Sequence, residues 1–161
     1  MRKIKYKKGR KLHPYNLEYT GVHKSNESEM QLFVYDDLNL IEYEDFRISD
    51  LDKFINTKET NWLNIHGLNN IGFLQAIAGY FDIDNFMLAD ILNTTRRTKL
   101  EESHDCLFFN IKSLLPAEHS DNISVEQISF LMKDGVLISF QEKRSDFFTH
   151  IRERIRTHSG I

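Results

Sequence analysis

Apolar and polar positions change rhythm three times along the chain. Up to residue 67 they form short β-rich runs. "LEYTGVH" (17–23), "MQLFVY" (30–35), "LIEYEDF" (40–46) and "NWLNIHG" (61–67) each predict a strand. "DDLN" between the second and third is turn-like, so these two predict a hairpin. The rhythm then turns helical. In "NNIGFLQAIAGYF", Ile71, Leu74, Ile77, Ala78 and Phe81 recur at helical spacing behind Asn69 or Asn70 as cap. "DNFMLADILN" (84–93) predicts a second helix capped by Asp84, with Met87, Leu88, Ile91 and Leu92 on its apolar face. Asp90 lies off the centre of that face, so its side chain is expected to point sideways or outward.

The back half returns to strands. "CLFFNIKSLL" (106–115) is one. "ISVEQISFLM" (123–132) is another, and its apolar phase slips at Glu126–Gln127, which predicts a bulge or bend. Asp134–Gly135 is a two-residue hairpin signal, after which "VLISFQ" (136–141) returns. Ser145 is positioned to cap a last helix with Phe148, Ile151 and Ile155 on one face. The expected fold class is α+β, an α/β/α sandwich whose mixed, largely antiparallel sheet of about seven strands is covered by helices.

The chain has 161 residues, enough for one domain with a hydrophobic core. No apolar run approaches the length that crosses a bilayer, and no apolar stretch follows the basic start as a secretory signal requires. Residues 1–12, "MRKIKYKKGRKL", carry seven of the 21 basic residues and no acidic one. Residues 1–14 are therefore read as a solvated basic arm and residues 15–161 as the domain. The other 14 basic residues stand against all 24 acidic ones. A body so acidic argues against a nucleic-acid face and suits the attraction of cations. The ending just behind a helix is read as a cut from a longer chain.

Catalytic constellations are missing. There is no phosphate-cradling glycine loop, no H-E-x-x-H and no nucleophile elbow. His13, His23, His66, His104, His119, His150 and His158 are scattered, and each reads as a surface or satisfied histidine. Cys106 is the only cysteine and reads as a structural thiol, one that fits a cytoplasmic compartment. Its neighbour His104 lacks an orienting partner, so the two make no catalytic pair. The carboxylates cluster more suggestively: Asp82, Asp84 and Asp90 surround one short helix, and Glu101, Glu102 and Asp105 follow. Hard divalent cations such as Mg2+ take oxygen ligands, keep several waters and need only one or two carboxylates. On spacing alone, however, capping by Asp84 and solvated charge elsewhere account for the cluster.

Four blocks, "WLNIHGL" (62–68), "LADILNTTRRTKLEE" (88–102), "VLISFQE" (136–142) and "IRERIR" (151–156), resemble in order and spacing the cytoplasmic N-terminal domain of the CorA family of magnesium and cobalt transporters. The resemblance runs from about residue 17 to the end. It implies a homopentamer in which each subunit carries an α/β domain, a long stalk helix and two membrane helices ending in a Gly-Met-Asn pore motif. This chain has no Gly-Met-Asn and resembles the cytoplasmic domain alone.

The resemblance also implies a site. The family's regulatory acid follows a Leu–Glu pair, and that position matches Asp90. It implies a Mg2+ ion, with Co2+ as a second candidate, bound between Asp90 and a carboxylate of a neighbouring subunit's stalk. Low internal Mg2+ would then let the carboxylates repel and the ring loosen. Arg96, Arg97, Lys99 and Glu101 are expected in structural ion pairs. Three departures from the family pattern stand out: Ala89 replaces the usual second acid, Thr98 the usual proline, and Asp84–Asn85 the commoner His-Pro. Asp82 and Asp84 are supplementary ion-ligand candidates. Without its partner half the chain is expected to bind Mg2+ weakly, and without stalk and membrane helices to be a monomer or weak dimer at the cytoplasmic face of the cell membrane.

Three other readings stay open: the domain of a zinc-transporting relative, a stand-alone interaction module of the same fold, and a small metal-dependent enzyme. The absence of any base–nucleophile pairing argues against the last, so the chain is read as no enzyme.

Overall fold

The first hairpin joins β1 (Glu29–Tyr35) to β2 (Leu40–Tyr43), antiparallel, across the predicted turn. Asp36 builds that turn: its Oδ1 accepts from the amides of Leu38 and Asn39 at 2.8 and 2.7 Å. In this computed structural model residues 16–23, 27–102, 105–116, 123–144 and 146–159 are described. The basic arm, His104, His119 and the Ser145 cap lie outside them.

A one-turn helix α1 (Leu51–Phe54) precedes β3 (Thr60–His66). Next come α2 (Ile71–Tyr80), capped by Asn70, and α3 (Asn85–Leu92), capped by Asp84. The chain continues through β4 (Lys99–Glu102), β5 (Cys106–Pro116), β6 (Ile123–Lys133) and β7 (Val136–Gln141), then α4 (Thr149–Arg156) behind a 3-10 turn at Asp146–Phe148. The described strands make one seven-stranded sheet ordered β2-β1-β3-β7-β6-β5-β4. Its strand pairs are antiparallel except β3 with β7. The two central strands thus come from halves of the chain separated by the helices, and one parallel crossover welds them.

Strand alternation gives each face its own core. Leu32, Leu63, Ile138, Leu131 and Phe108 stand opposite one another across five strands and are fully buried against α2 and α3. On the other face Phe33, Trp62, Ile128 and Phe130 receive Phe148 and Ile155 of the C-terminal segment. Trp62 stacks on Phe33 at 4.9 Å between centroids and meets Phe148 edge-on at 5.3 Å. Ile151 of the same predicted stripe stays 38% exposed.

Three expectations are corrected. Residues 17–23 form no strand; they run as a strap whose Thr20 amide donates to the Leu92 carbonyl at 3.1 Å. The seventh strand is instead β4, whose polar "KLEE" pairs only with β5 at the sheet edge. Finally, the β5–β6 ladder is continuous through Glu126 and Gln127, without a bulge. The phase slip there marks where cover begins: apolar residues before it are exposed, and after it both faces of the strand carry buried residues, Ile128 on one and Leu131 on the other. Ile123 and Val125 lie exposed on the α3 side beyond the helices, whereas Ile128 and Phe130 are roofed on the other side by the C-terminal segment. The Asp134–Gly135 hairpin forms as expected, with φ of 51° and 77°, the left-handed pair a two-residue turn requires.

Candidate functional site

The end of α3 is where the predicted site residues converge. A helix leaves its last four carbonyls without intrahelical donors. Here each finds one. Asn93 N donates to Ala89 O at 3.0 Å, Gln127 Nε2 to Asp90 O at 3.0 Å and Ile91 O at 3.4 Å, and Thr20 N to Leu92 O. Gln127 stands on β6 facing the helix, and Lys112 beside it on β5 donates to Gln127 Oε1 at 2.8 Å and to Thr94 O at 2.6 Å. The positive Lys112 also suits the negative end of the helix dipole.

Past the helix the chain reverses at once. Asn93 Oδ1 accepts from the Thr95 amide at 3.2 Å and the Thr95 hydroxyl at 2.8 Å, while Arg96 N donates to Asn93 O at 3.0 Å. This turn swings the following cations back over α3. Arg96 Nε lies 2.7 Å from Asp90 Oδ1, and the Lys99 ammonium contacts Asp90 Oδ2. Lys99 also reaches Glu101 Oε1 at 2.7 Å, as residues two apart on a strand share a face. Burial opposes the Lys99 charge, but hydrogen bonds to Asp90 and Glu101 outweigh it and hold its pKa above the ordinary lysine value.

Asp90, expected to point sideways or outward, is only 7% exposed: it points sideways, onto a flank that is covered, and the outward alternative is corrected. A single-helix projection treats the flank of α3 as solvent; the returning turn and β4 cover it. The carboxylate still borders a surface cavity of about 670 Å3 lined by Phe86, Asn93, Thr95, Arg96, Arg97 and Glu101 among others. Of the expected ion pairs, those of Arg96, Lys99 and Glu101 are present, and Arg97 makes none among the described residues.

The supplementary acids sit elsewhere. Asp84 Oδ1 accepts from Met87 N at 2.8 Å as N-cap, and Asp82 is fully exposed in the left-handed region at φ 49°. Both border a separate cavity of about 180 Å3 with Asp105, Cys106 and Lys133. Lys133 donates to Asp105 Oδ2 at 2.6 Å and to the Asp82 carbonyl at 3.3 Å, and Asp105 raises its pKa. Burial likewise pushes the Cys106 thiol up, as befits a structural cysteine. Among the described residues no three of His, Cys, Asp and Glu gather to hold a metal ion. The oxygens bordering the Asp90 cavity, from Asp90, Glu101, Asn93 and Thr95, are nonetheless the hard donors Mg2+ prefers.

Two residues of this region were not singled out from the sequence. Gln127 was read only as part of a phase slip. Glu142, which is buried, accepts the Tyr19 hydroxyl at Oε2 (2.7 Å) and the Gln127 amide at Oε1 (3.1 Å). Burial and the Glu142 carboxylate together push the Tyr19 hydroxyl well above the usual tyrosine pKa. The available signal was a polar residue in phase with apolar ones: Gln127 with Val125 and Leu131 along β6, and Glu142 one residue beyond β7 in phase with Ile138 and Phe140.

Comparison with known proteins places these features in context. Residues 57–160 match the family described as "CorA-like Mg2+ transporter protein". The chain is 29% identical to the cobalt/magnesium transport protein CorA of Thermotoga maritima over 99% of its own length and 45% of that protein's. It therefore spans less than half the length of that curated relative. The soluble domain of CorA from Methanocaldococcus jannaschii superposes with a TM-score of 0.56 at 12% identity, covering 83% of this chain and 48% of that one. The cytoplasmic domain of ZntB from Vibrio parahaemolyticus gives 0.57 at 15% identity, covering 82% and 51%. At those identities the structural matches establish a shared fold. No helix among the described residues is long and apolar enough to cross a membrane.

Proposed function

The chain belongs to the CorA-like Mg2+ transporter family, whose members are transport proteins rather than enzymes, and from that premise we propose that it is the ion-sensing regulatory domain of a divalent-cation transporter. It works at the cytoplasmic face of the cell membrane, in a pentamer of like subunits joined through stalk and membrane helices. Mg2+, or Co2+ in its place, is the sensed ion. Asp90 is its ligand from this chain, and a carboxylate of a neighbouring subunit completes the site. The bound ion offsets the repulsion between the two acids and favours the closed ring; its loss releases them.

One observation carries this reading: an acid near the end of α3, almost buried yet bordering an open cavity whose other oxygens are hard donors. A carboxylate in that setting is screened little by water, so a divalent ion there exerts a strong local field. Asp82 and Asp84, on a different cavity, are not needed for it.

The test is a Mg2+ titration of the chain followed by the amide resonances of residues 88–102, for the natural sequence and for Asp90→Ala. A saturable response lost in the variant supports the site, and equal responses remove Asp90 from it. Repeating the titration with Co2+ and with Zn2+ ranks the ions and reads out a zinc-selective alternative.

A further inference from the structure

We infer that Arg96 and Lys99 are tethered counter-ions of Asp90, so that a divalent cation reaches this carboxylate only by exchange against cations of the same chain. The inference rests on the reading of Asp90 as the ion ligand and adds what sets its threshold.

Each Asp90 oxygen already faces a cation: Oδ1 the Arg96 guanidinium at 2.7 Å, Oδ2 the Lys99 ammonium. Both arrive from the ten residues that follow α3, brought back by the Asn93–Arg96 turn. The neighbour is therefore present at fixed, high effective concentration, whatever the ion concentration outside. Two monovalent side chains also supply the same charge as one Mg2+, so exchange leaves the charge in direct contact with the Asp90 oxygens unchanged. The displaced groups have somewhere to go. Lys99 keeps Glu101, a half-exposed acid 2.7 Å away, and Arg96 is itself 50% exposed and swings into water.

Two consequences follow. Affinity is lower than for a bare carboxylate in the same place, which suits an ion held at high concentration. Exchange also removes the ion pairs that join the Asn93–Arg96 turn and the start of β4 to α3, leaving them held by the Asn93 turn bonds and the β5 ladder alone. Ion occupancy is thereby reported at the sheet edge, a strand paired on one side only.

The experiment measures Mg2+ affinity by the same resonances in the 161-residue chain and in Lys99→Met, Arg96→Met, Asp90→Asn and a remote control, Lys58→Met. The exchange predicts that Lys99→Met and Arg96→Met each tighten Mg2+ roughly three- to tenfold. Lys58 is exposed and far along the chain, so its variant stays within about twofold of the natural sequence. Should Lys99→Met unfold because it leaves a nearly buried acid short of a partner, the half-exposed Arg96 provides the same reading. Affinities unchanged or weakened in both, with binding lost in Asp90→Asn, overturn the exchange and leave the ion site standing. Undiminished binding in Asp90→Asn overturns the site and the exchange together.

Discussion

The side-chain amide of Gln127 lies 3.0 Å from the Asp90 carbonyl, joining the middle of β6 to the last turn of α3. One residue thereby stands between the sheet core and the candidate site. Gln127→Ala leaves the Asp90 and Ile91 carbonyls without donors and strips Lys112 of a partner. Orphaning such buried groups is expected to cost about 2 kcal/mol. Urea denaturation of the two proteins measures it; a difference within experimental error would make the contact incidental.

Gly21 sits against the buried Tyr19–Glu142 pair. A Cβ there would lie 2.2 Å from the Tyr19 hydroxyl and 2.3 Å from Glu142 Oε2. Gly21→Ala must therefore push the strap 17–23 off the sheet, costing roughly 1–3 kcal/mol as overpacking does. Proteolysis of the strap, compared with the natural chain, is expected to accelerate, and an unchanged rate contradicts the packing.

Asp84 separates capping from ion binding. Asp84→Ala removes the acceptor for the Met87 amide and is expected to destabilise α3 by about 1 kcal/mol. The Mg2+ response at residues 88–102 is expected to remain. Loss of that response without unfolding would return Asp84 to the ligand set.

Acid is expected to weaken the fold through His66. This histidine is buried, and its pKa is lowered from 6.5 to about 4, first by burial and then by the charges of Arg144 and Arg152. Its folded pKa lies below the unfolded one, so on acidification the unfolded chain takes up the proton first. The full contribution holds above pH 6.5 and is lost as the pH falls toward 4, by up to roughly 3 kcal/mol. His66→Gln is expected to flatten the stability–pH curve in that window. A curve of unchanged slope would assign the acid sensitivity to other groups.

Much of this architecture was legible wherever one face of an element is buried and the other is not. Leu74, Ile77 and Ala78 repeat at 3.6 because α2 has a single covered side, and Asp84 announces α3 because few residues satisfy the amides of a first turn. The Asp134–Gly135 turn was equally plain, since two consecutive left-handed residues leave little chemical choice. These facts live in local backbone chemistry, and the amino-acid order alone determines them.

Other features belong to neighbours that the order of residues does not display. β4 is a strand because β5 offers its free edge to "KLEE", which has no β pattern of its own. The apolar phase of β6 shifts where cover by other elements begins, with Ile123 and Val125 exposed before it and Ile128 and Leu131 buried on opposite faces after it. Above all, local periodicity set Asp90 off the apolar face, sideways or outward, but could not show that this flank is covered: the Asn93–Arg96 turn brings Arg96 and Lys99 over it. A charge is buried only where opposite charge meets it, as at Asp90, or where hydrogen-bond donors do, as at Glu142, and that meeting is made by the tertiary fold.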